Sequence, residues 1–373
     1  NWYNWNGYTV PAEYSTTELE YTAARNGVSV MDLTPMCKYT IKGPDALRFV
    51  DYLVTRDLSE MRDNTVAYII WCNEDGKVID DGTIFKFSSA ELMLCCAVKL
   101  LNWLTDSAEG FDVSITDTTD TIAALAVQGP TSCSTLKNYG ATNLENIKPF
   151  EMKEYNINGY KVLISRTGFT GDLGYELWTD PENAETMWDS LMDAGNLLKI
   201  RPFGINALEL TRIEAGFIQT NTDFVAAEDA LRPVRMRSPY EIGMGWLVHL
   251  NKKNYFVGKT ALKKEKKENS SVRVLVGLDI DGDKPAHGAV IYYEKKKDIG
   301  IVTAAFWSPT LKKNIAIASL RRPYGTKIKE NIFAEIYHPE EIEYRKIWAK
   351  CKVVKRQFYS PERRSKVPAD LYE

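Results

Sequence analysis

Apolar residues along this chain follow two different spacings. A spacing of three and four residues predicts amphipathic helices, because such positions share one side of a helix. Helices are predicted at residues 17–26, 45–53, 131–138, 182–195 and 206–216. Alternation of apolar and polar positions predicts strands at residues 37–42, 65–72, 77–87, 92–97, 124–128 and 160–165. Successive strands joined by short turns are typical of antiparallel sheets, so we expect an α+β fold.

A unit of strand, Gly-Pro turn and helix occurs twice, at residues 37–53 and 124–138, which predicts two related halves of one α+β region. A charged run at 263–271 is expected to be a linker or the end of a surface helix. Beyond it only short strands are predicted, at residues 272–278, 289–293, 300–306, 315–319, 333–337 and 348–354. Their regular spacing favours a small barrel or sandwich. We therefore divide the chain into an amino-terminal region, 1–260, and a carboxy-terminal barrel domain, 261–373.

The composition narrows the possible functions. The chain has 373 residues, 47 basic and 50 acidic side chains and a net charge of −3, which gives no basic footprint for nucleic acid. No apolar run is long enough to span a bilayer. The three histidines lie far apart and the six cysteines form no C-x-x-C pair, so we expect reduced thiols and no metal site. We expect a cytoplasmic protein, with the mitochondrial matrix as the alternative because the chain begins at Asn1 rather than Met.

Two neighbouring acids follow a predicted Asp-Gly turn at residues 75–76. Asp80 and Asp81 lie on the strand after that turn, and neighbouring strand residues face opposite sides. We therefore expect one carboxylate to point inward and the other toward solvent. An inward carboxylate needs hydrogen-bond partners or a catalytic task. From this motif alone, a strand-end acid satisfied by backbone amides or by an arginine is favoured over a catalytic acid.

A glycine-rich loop at residues 165–177 contains the second candidate group. Glycines at 168, 171 and 174 permit a tight turn, and the loop returns into a strand at Glu176. An inward Glu176 carboxylate would match a flat array of donors, such as a pterin ring nitrogen and its amino group. A surface glutamate facing water explains the loop equally well at this point.

Two further patterns are interpreted as structural. Arg212 and Glu214 flank one apolar position in a predicted helix, and we expect them to be tied into ion pairs. Aromatic residues crowd the first fifteen positions, where packing onto a core is favoured over a pocket wall.

Taken together and in order, these motifs resemble the glycine cleavage T-protein (aminomethyltransferase) family over nearly the whole chain. The motifs that carry the resemblance are Asp-Leu-Thr-Pro-Met at 32–36, Lys-Gly-Pro-Asp at 42–45, Asn-Glu-Asp-Gly at 73–76 with Asp-Asp at 80–81, Val-Gln-Gly-Pro at 127–130, the glycine loop at 165–176, Arg-Ile-Glu-Ala-Gly at 212–216, Glu-Ile-Gly-Met-Gly-Trp at 241–246, Phe-Val-Gly-Lys at 256–259 and Ser-Pro-Thr-Leu at 308–311. The Arg-Thr-Gly-aromatic-Thr-Gly…Gly-aromatic-Glu string is the most specific of them.

The resemblance implies a three-lobed cloverleaf with antiparallel sheets, a carboxy-terminal β-barrel or jelly-roll-like domain and a central tetrahydrofolate cavity. It implies a tetrahydrofolate-dependent transferase of methyl or aminomethyl groups that needs no metal. It implies that Asp81 is the catalytic carboxylate and that Glu176 holds the pterin. The other cofactor-binding positions that it implies are Tyr68, Phe169, Met36 and Trp246.

The departures from the family concern the one-carbon donor. The arginine that contacts ligand in T-proteins is replaced within Ala-Leu-Glu at 207–209, and Cys95-Cys96 stand where an asparagine is usual. Residues 219–238 form an added segment. A sister branch similar to the dimethylsulfoniopropionate demethylases also lacks that arginine, which favours a small methylated amine or sulfonium metabolite as the donor.

In that interpretation, Trp71 would hold an onium methyl group and the arginines of the added segment, Arg232, Arg235 and Arg237, would hold a donor carboxylate. Ordinary packing of Trp71 and a solvated basic loop are the alternatives. A glycine cleavage aminomethyltransferase that acts on a lipoyl carrier protein stays open, and so does a folate-binding protein without catalysis. We expect neither a nucleic-acid nor a membrane partner.

Overall fold

A computed structural model describes residues 1–368 of the chain. The last five residues of the predicted domain 261–373 lie outside the described residues. The strands of the amino-terminal region are β1 Trp2–Trp5, β2 Tyr8–Pro11, β3 Ser29–Asp32, β4 Cys37–Lys42, β5 Thr65–Cys72, β6 Val78–Ser88, β7 Glu91–Cys96, β8 Ser114–Asp117, β9 Ala123–Gln128, β10 Met152–Ile157, β11 Tyr160–Ser165, β12 Gly174–Thr179 and β13 Arg201–Pro202. The strands of the carboxy-terminal region are β14 Arg273–Ile280, β15 Val290–Tyr293, β16 Lys297–Ser308, β17 Lys313–Arg321, β18 Ile332–Pro339 and β19 Tyr344–Val354.

The five α-helices that the apolar spacing predicts are present, and the structure has two more. They are α1 Thr17–Asn26, α2 Ala46–Leu53, α3 Leu101–Ser107, α4 Ser132–Tyr139, α5 Ala184–Ala194, α6 Ile205–Ala215 and α7 Lys259–Glu268. The sequence did not predict α3, which buries Leu104 alone and so shows little apolar spacing. The other addition, α7, covers most of the charged run whose structure the sequence left open. Lysine and glutamate favour helix, and Leu262 anchors α7 by burial. None of the helices in the described part of the chain has the length and apolar character to cross a membrane.

Three lobes are built on separate β-structures. One sheet has the strand order β5-β6-β7-β4-β8, and a second has the order β10-β11-β12-β9-β3-β13. The third lobe is a closed barrel with the order β14-β17-β16-β15-β18-β19. The strand pairs are antiparallel except β3 with β13, which are parallel. The α+β class, the antiparallel sheets and the carboxy-terminal barrel are thus confirmed.

Each lobe has its own apolar core, and two more cores join the lobes. The first sheet packs α2 against one face, whereas the second packs α4 and α5. A junction core between the two sheets includes Phe85 from β6 and Trp178 from β12. Another joins the first sheet to the barrel and includes Ile70 and Ile317. Since these contacts are buried and apolar, they fix the sheets relative to each other and so position whatever lies between them.

Candidate functional site

Asp81 and Glu176 lie on sheet faces that are turned toward each other. Along β6, Asp81, Thr83 and Phe85 share one face, because side chains two residues apart point the same way. Along β12, Glu176 and Trp178 share a face in the same manner. The Phe85 and Trp178 rings meet edge to face with centroids 5.0 Å apart. Apolar packing therefore closes one part of this interface. Glu176 follows at the next position on its face of β12, and Asp81 lies one position beyond Thr83 on its face of β6.

Cys95 connects the two carboxylate faces. It pairs with Thr83 across β6 and β7, so it shares the face of Asp81. Burial raises the pKa of the Cys95 thiol, and the Glu176 carboxylate raises it further, which places Glu176 near β7. Cys95 is therefore a neutral thiol that shares the sheet face of Asp81 and lies near Glu176, at the position where the family usually has an asparagine.

Asp81 is held by two hydroxyl groups. The Tyr68 hydroxyl donates to Asp81 Oδ2 at 2.5 Å, and Thr220 Oγ1 lies 3.2 Å from Asp81 Oδ1. Burial raises the pKa of Asp81, although the two hydrogen bonds oppose that shift. Such a carboxyl group is poised to exchange a proton nearer to neutral pH than an exposed aspartate.

Asp80 corrects the expectation that one of the two acids faces solvent. Its side chain is fully buried, contacts Thr220 Oγ1 and accepts from the Val98 amide at 3.4 Å. The reason is the added segment 219–238, which covers the start of β6. Its Ala227 amide donates to the Val78 carbonyl at 2.8 Å, and the Val78 amide donates to the Arg237 carbonyl at 2.8 Å. Asp80 is therefore withdrawn from solvent, whereas Asp81 stays partly exposed.

Glu176 has one donor within residues 1–368, the Thr167 hydroxyl at 2.5 Å from Oε2. Burial raises the pKa of Glu176 to about 7, while this hydrogen bond lowers it. The second carboxylate oxygen, Oε1, accepts no hydrogen bond from the described residues.

The glycine loop is shaped around the buried side chain of Gln128. The Gln128 amide donates to the Thr167 carbonyl at 3.3 Å and to the Tyr175 carbonyl at 3.2 Å. A Cβ atom at Gly168 or Gly174 would lie 2.1 or 2.2 Å from Gln128 Oε1. Because no side chain fits there, these two glycines allow Gln128 to fix the loop that carries Thr167 and leads to Glu176.

The remaining expected cofactor positions border the same region. Trp246 is 62% exposed, and its ring lies 6.2 Å from that of Tyr68. The Phe169 ring stacks on Phe217 with centroids 5.4 Å apart. Met36 packs against the junction core between the two sheets. The structure therefore places Tyr68 in contact with Asp81, with Trp246 beside it, whereas Phe169 lies at the glycine loop and Met36 at the junction.

The structure does not bring the expected donor residues to this site. Trp71 is 1% exposed and belongs to the core on the opposite face of β5, so its position matches the packing alternative. Arg232 and Arg235 are exposed to solvent. Arg237 donates to the carbonyls of Val234 and Met236 in its own segment. These side chains are directed elsewhere because the added segment packs through its backbone against β6.

Arg356 is a residue of this region that the sequence did not reveal. It follows the barrel, and its guanidinium donates to the carbonyls of Gly216 at 2.8 Å and Ile242 at 2.6 Å. Burial lowers the pKa of Arg356, and Tyr68 and Asp81 lie near enough to raise it. It brings a positive charge toward Asp81 from the far end of the chain. Nothing in the local sequence around Arg356 marks it.

Arg212 and Glu214 are structural, as expected. Arg212 forms ion pairs with Asp223 at 2.5 Å and with Glu209 at 2.8 Å. Glu214 pairs with Arg25 at 2.7 Å. The prediction that these two residues are tied into ion pairs is confirmed.

Comparison with known proteins gives a consistent result. Residues 1–252 match the family described as "GCVT N-terminal domain", and residues 273–360 match "Glycine cleavage T-protein C-terminal barrel domain". The chain is 35% identical over 369 residues to an aminomethyltransferase of Clostridium botulinum, covering 96% of this chain and 94% of that protein. It is 34% identical over 316 residues to an aminomethyltransferase of Thermotoga maritima, covering 84% of this chain and 83% of that protein.

Among solved structures, the fold is similar to that of the glycine cleavage system aminomethyltransferase T from Bartonella henselae. The TM-score is 0.83 at 21% sequence identity, and the alignment covers 96% of this chain and 94% of the other. This likeness establishes the fold, including the barrel.

Proposed function

The chain belongs to the glycine cleavage T-protein family, and on that premise we propose that this enzyme transfers an aminomethyl-derived one-carbon unit to tetrahydrofolate. The observation that carries the proposal is the placement of Asp81 and Glu176 on facing sheet surfaces, with an apolar junction beside them. This arrangement offers one carboxylate for a pterin and another for the reacting atoms.

The chemistry of the donors and acceptors fits a folate. A pterin presents neighbouring N–H groups in one plane, and a carboxylate accepts them in parallel, one at each oxygen. Glu176 has the capacity for both, since the Thr167 hydroxyl uses only one of the two lone pairs of Oε2. The aromatic rings of Trp246 and Phe169 supply flat apolar surfaces for a ring system. We propose that Met36 and Tyr68 complete the cofactor-binding residues.

Asp81 is the proposed catalytic carboxylate. Bound tetrahydrofolate supplies a nucleophilic ring nitrogen, so the chain itself has to position the reactants and handle protons. Tyr68 holds Asp81 Oδ2 at 2.5 Å and thereby fixes the direction of Oδ1. Partial burial keeps the pKa of Asp81 above its usual range, which suits an exchange of protons with an amine.

The proposed donor is an aminomethyl group on a lipoyl carrier protein. The two curated relatives quoted above are named aminomethyltransferases, and neither name supports the free methylated sulfonium or amine donor that the sequence favoured. The burial of Trp71 removes the aromatic contact that such a donor was expected to make. The missing arginine at 207–209 still distinguishes this chain, where Ala207 is buried in the junction core.

A donor panel tests this proposal. Purified protein and tetrahydrofolate would be incubated with aminomethylated lipoyl carrier protein, dimethylsulfoniopropionate, glycine betaine, dimethylglycine or sarcosine. Methylene- and methyl-folate would be measured separately. We expect methylene-folate from the carrier protein alone. Methyl-folate formed from a free solute would contradict the aminomethyl proposal and favour a demethylase. Folate binding with no product from any donor would favour a binding protein without catalysis.

A further inference from the structure

Thr220 lies between the two neighbouring acids of β6. Its Oγ1 atom contacts Asp80 Oδ1 and lies 3.2 Å from Asp81 Oδ1. Thr220 is 6% exposed and Asp80 is 0% exposed. One hydroxyl thus joins two carboxyl groups in a place that is largely withdrawn from solvent.

Two ionised carboxylates do not fit around a single threonine hydroxyl. A threonine hydroxyl has one hydrogen to donate, and an ionised carboxylate can only accept. With both acids ionised, one of the two oxygen–oxygen contacts at Thr220 would lack a hydrogen. Two negative charges would also face each other at a buried position, which is costly. One additional proton on either acid removes both problems.

The surroundings assign that proton to Asp80. Asp81 receives the Tyr68 hydroxyl at 2.5 Å as well as Thr220, so its ionised form is stabilised. Asp80 receives a longer contact from the Val98 amide at 3.4 Å. Burial and the neighbouring Asp81 charge both raise the pKa of Asp80. The order of hydrogen bonds is then Asp80 donating to Thr220 and Thr220 donating to Asp81.

We propose that Asp80 stores a proton for Asp81 and that the Thr220 hydroxyl passes it between them, an inference that rests on the proposed catalytic role of Asp81. In this step the Asp80 proton moves to Thr220 Oγ1 while the Thr220 proton moves to Asp81 Oδ1. Asp80 becomes the carboxylate, Asp81 becomes the acid, and the hydroxyl is restored. Asp80 and Thr220 are positioning residues, since they act through Asp81.

Other titratable groups face these oxygens from the neighbouring elements. Tyr68 on β5 and Arg356 from the tail favour negative charge on Asp81, whereas Asp223 opposes it. Cys96 on β7 lies beside Asp80, and burial keeps it a thiol by raising its pKa. The donor and the positive charge are therefore on the Asp81 side, which leaves Asp80 as the protonated partner.

Infrared spectroscopy tests the stored proton without turnover. Difference spectra at pH 7 between the wild type and Asp80→Asn, without added ligand, should show the loss of one protonated carboxyl band. Asp75→Asn, in the exposed turn before β6, should lose only an ionised carboxylate band. If Asp80→Asn also loses only an ionised carboxylate, Asp80 holds no proton and the proposal is overturned.

The pH dependence of kcat/KM tests the role of Thr220. Thr220→Val keeps the size of the side chain but removes the hydrogen bond to Asp81, so the acid limb of the profile should move upward by about one pH unit. Thr220→Ser keeps the hydroxyl and should keep the wild-type midpoint. If the Thr220→Val profile superimposes on the wild-type profile, the proposal that Thr220 passes the proton to Asp81 is overturned.

The proposed function and the stored proton can fail separately. Inactivity of the wild type with every donor contradicts the proposed function, while the infrared result still decides whether Asp80 holds the proton.

Discussion

Two carboxylates of the candidate site, Asp81 and Glu176, are partly buried on facing sheets. Burial raises the pKa of both. Hydroxyl donors oppose this rise in pKa, Tyr68 and Thr220 for Asp81 and Thr167 for Glu176. Because each carboxylate has so few donors, its protonation responds to small changes in its surroundings. Substitutions at these two positions therefore change the charge of the site more than its packing.

Replacing Asp81 with Asn should lower kcat by about 10²–10⁴-fold, because the amide keeps the shape but cannot exchange the proton. The Kd for tetrahydrofolate should change little, since Glu176 rather than Asp81 is proposed to hold the pterin. Steady-state kinetics and fluorescence titration would measure the two quantities. Asp75→Asn provides the control on an exposed acid six positions away. Full activity of Asp81→Asn would rule out its proposed role.

Tetrahydrofolate binding should weaken as the pH falls through about 7, the raised pKa of Glu176. The ionised carboxylate accepts two N–H groups, so protonation removes an acceptor, and the Kd should rise by up to about tenfold per pH unit below that value. Titrations between pH 6 and 8 would measure this change. Glu176→Gln should bind weakly at every pH, whereas Glu154→Gln, exposed on β10, should keep the wild-type dependence. A Kd independent of pH in the wild type would contradict the assignment.

At the residue level the sequence identified Asp81 and Glu176 through motifs, but it did not identify their partners. Thr220 lies in the added segment, and Arg356 lies 275 positions after Asp81 by the numbering, beyond the barrel. Neither belongs to a motif with Asp81. Their proximity depends on how the segment and the tail fold back onto the first sheet, which local spacing does not encode.

At the level of elements, the end of α6 shows how a turn positions a distant side chain. Gly216 ends α6 with φ +73°, in the left-handed region that favours glycine. A Cβ atom there would lie 2.4 Å from the Arg356 carbonyl oxygen. The Arg356 guanidinium in turn donates to the Gly216 carbonyl at 2.8 Å. The end of α6 at Gly216 and the chain at Arg356 therefore pack in direct backbone contact.

Gly216→Ala should destabilise the fold by about 3 kcal/mol, the sum of left-handed strain and a clash with backbone. Gly159→Ala is the matched control, since Gly159 has φ +87° but no heavy atom within 4 Å of a built Cβ. That variant should lose about 1 kcal/mol from strain alone. Urea unfolding would measure both. Equal losses in the two variants would mean that the contact with Arg356 contributes nothing.

The elements themselves were largely predictable. The apolar spacing placed α1, α2, α4, α5 and α6 and the barrel strands, because each element buries one side along its length. The charged run after residue 260 stayed ambiguous, since α7 buries little beyond Leu262. The glycine loop was expected to be tight, but its partner Gln128 comes from β9, a neighbouring strand in the sheet and not in the sequence.

At the scale of the whole molecule, a buried charge cluster holds the tail against the amino-terminal lobes. Glu214 of α6 pairs with Arg25 of α1 at 2.7 Å, and Asp172 of the glycine loop pairs with Arg363 of the tail at 2.6 Å. Arg25 also lies 3.5 Å from Asp172. The Tyr21 hydroxyl donates to Glu214 at 2.7 Å. The cluster therefore links two helices, the loop and the tail.

Glu214→Gln should lower the free energy of unfolding by about 3–5 kcal/mol, because it leaves the buried Arg25 charge without its nearest partner. Glu91→Gln is the control, since Glu91 forms an exposed ion pair with Lys42 at 2.9 Å. That change should cost less than about 1 kcal/mol. Chemical denaturation would measure both variants. A loss for Glu214→Gln as small as that of the control would show that the cluster does not stabilise the fold.

The sequence by itself determined most of the helices and strands, the α+β class with its barrel, the family motifs and the two candidate carboxylates. These follow from local periodicity and from short ordered motifs, which a chain carries before it folds. Tertiary structure alone decided that Asp80 is buried with Asp81 around Thr220, that Arg356 reaches the same region and that Trp71 and the arginines of the added segment do not. The physical reason is that such contacts form only when the lobes pack, so they depend on the shape and burial of the interfaces between them.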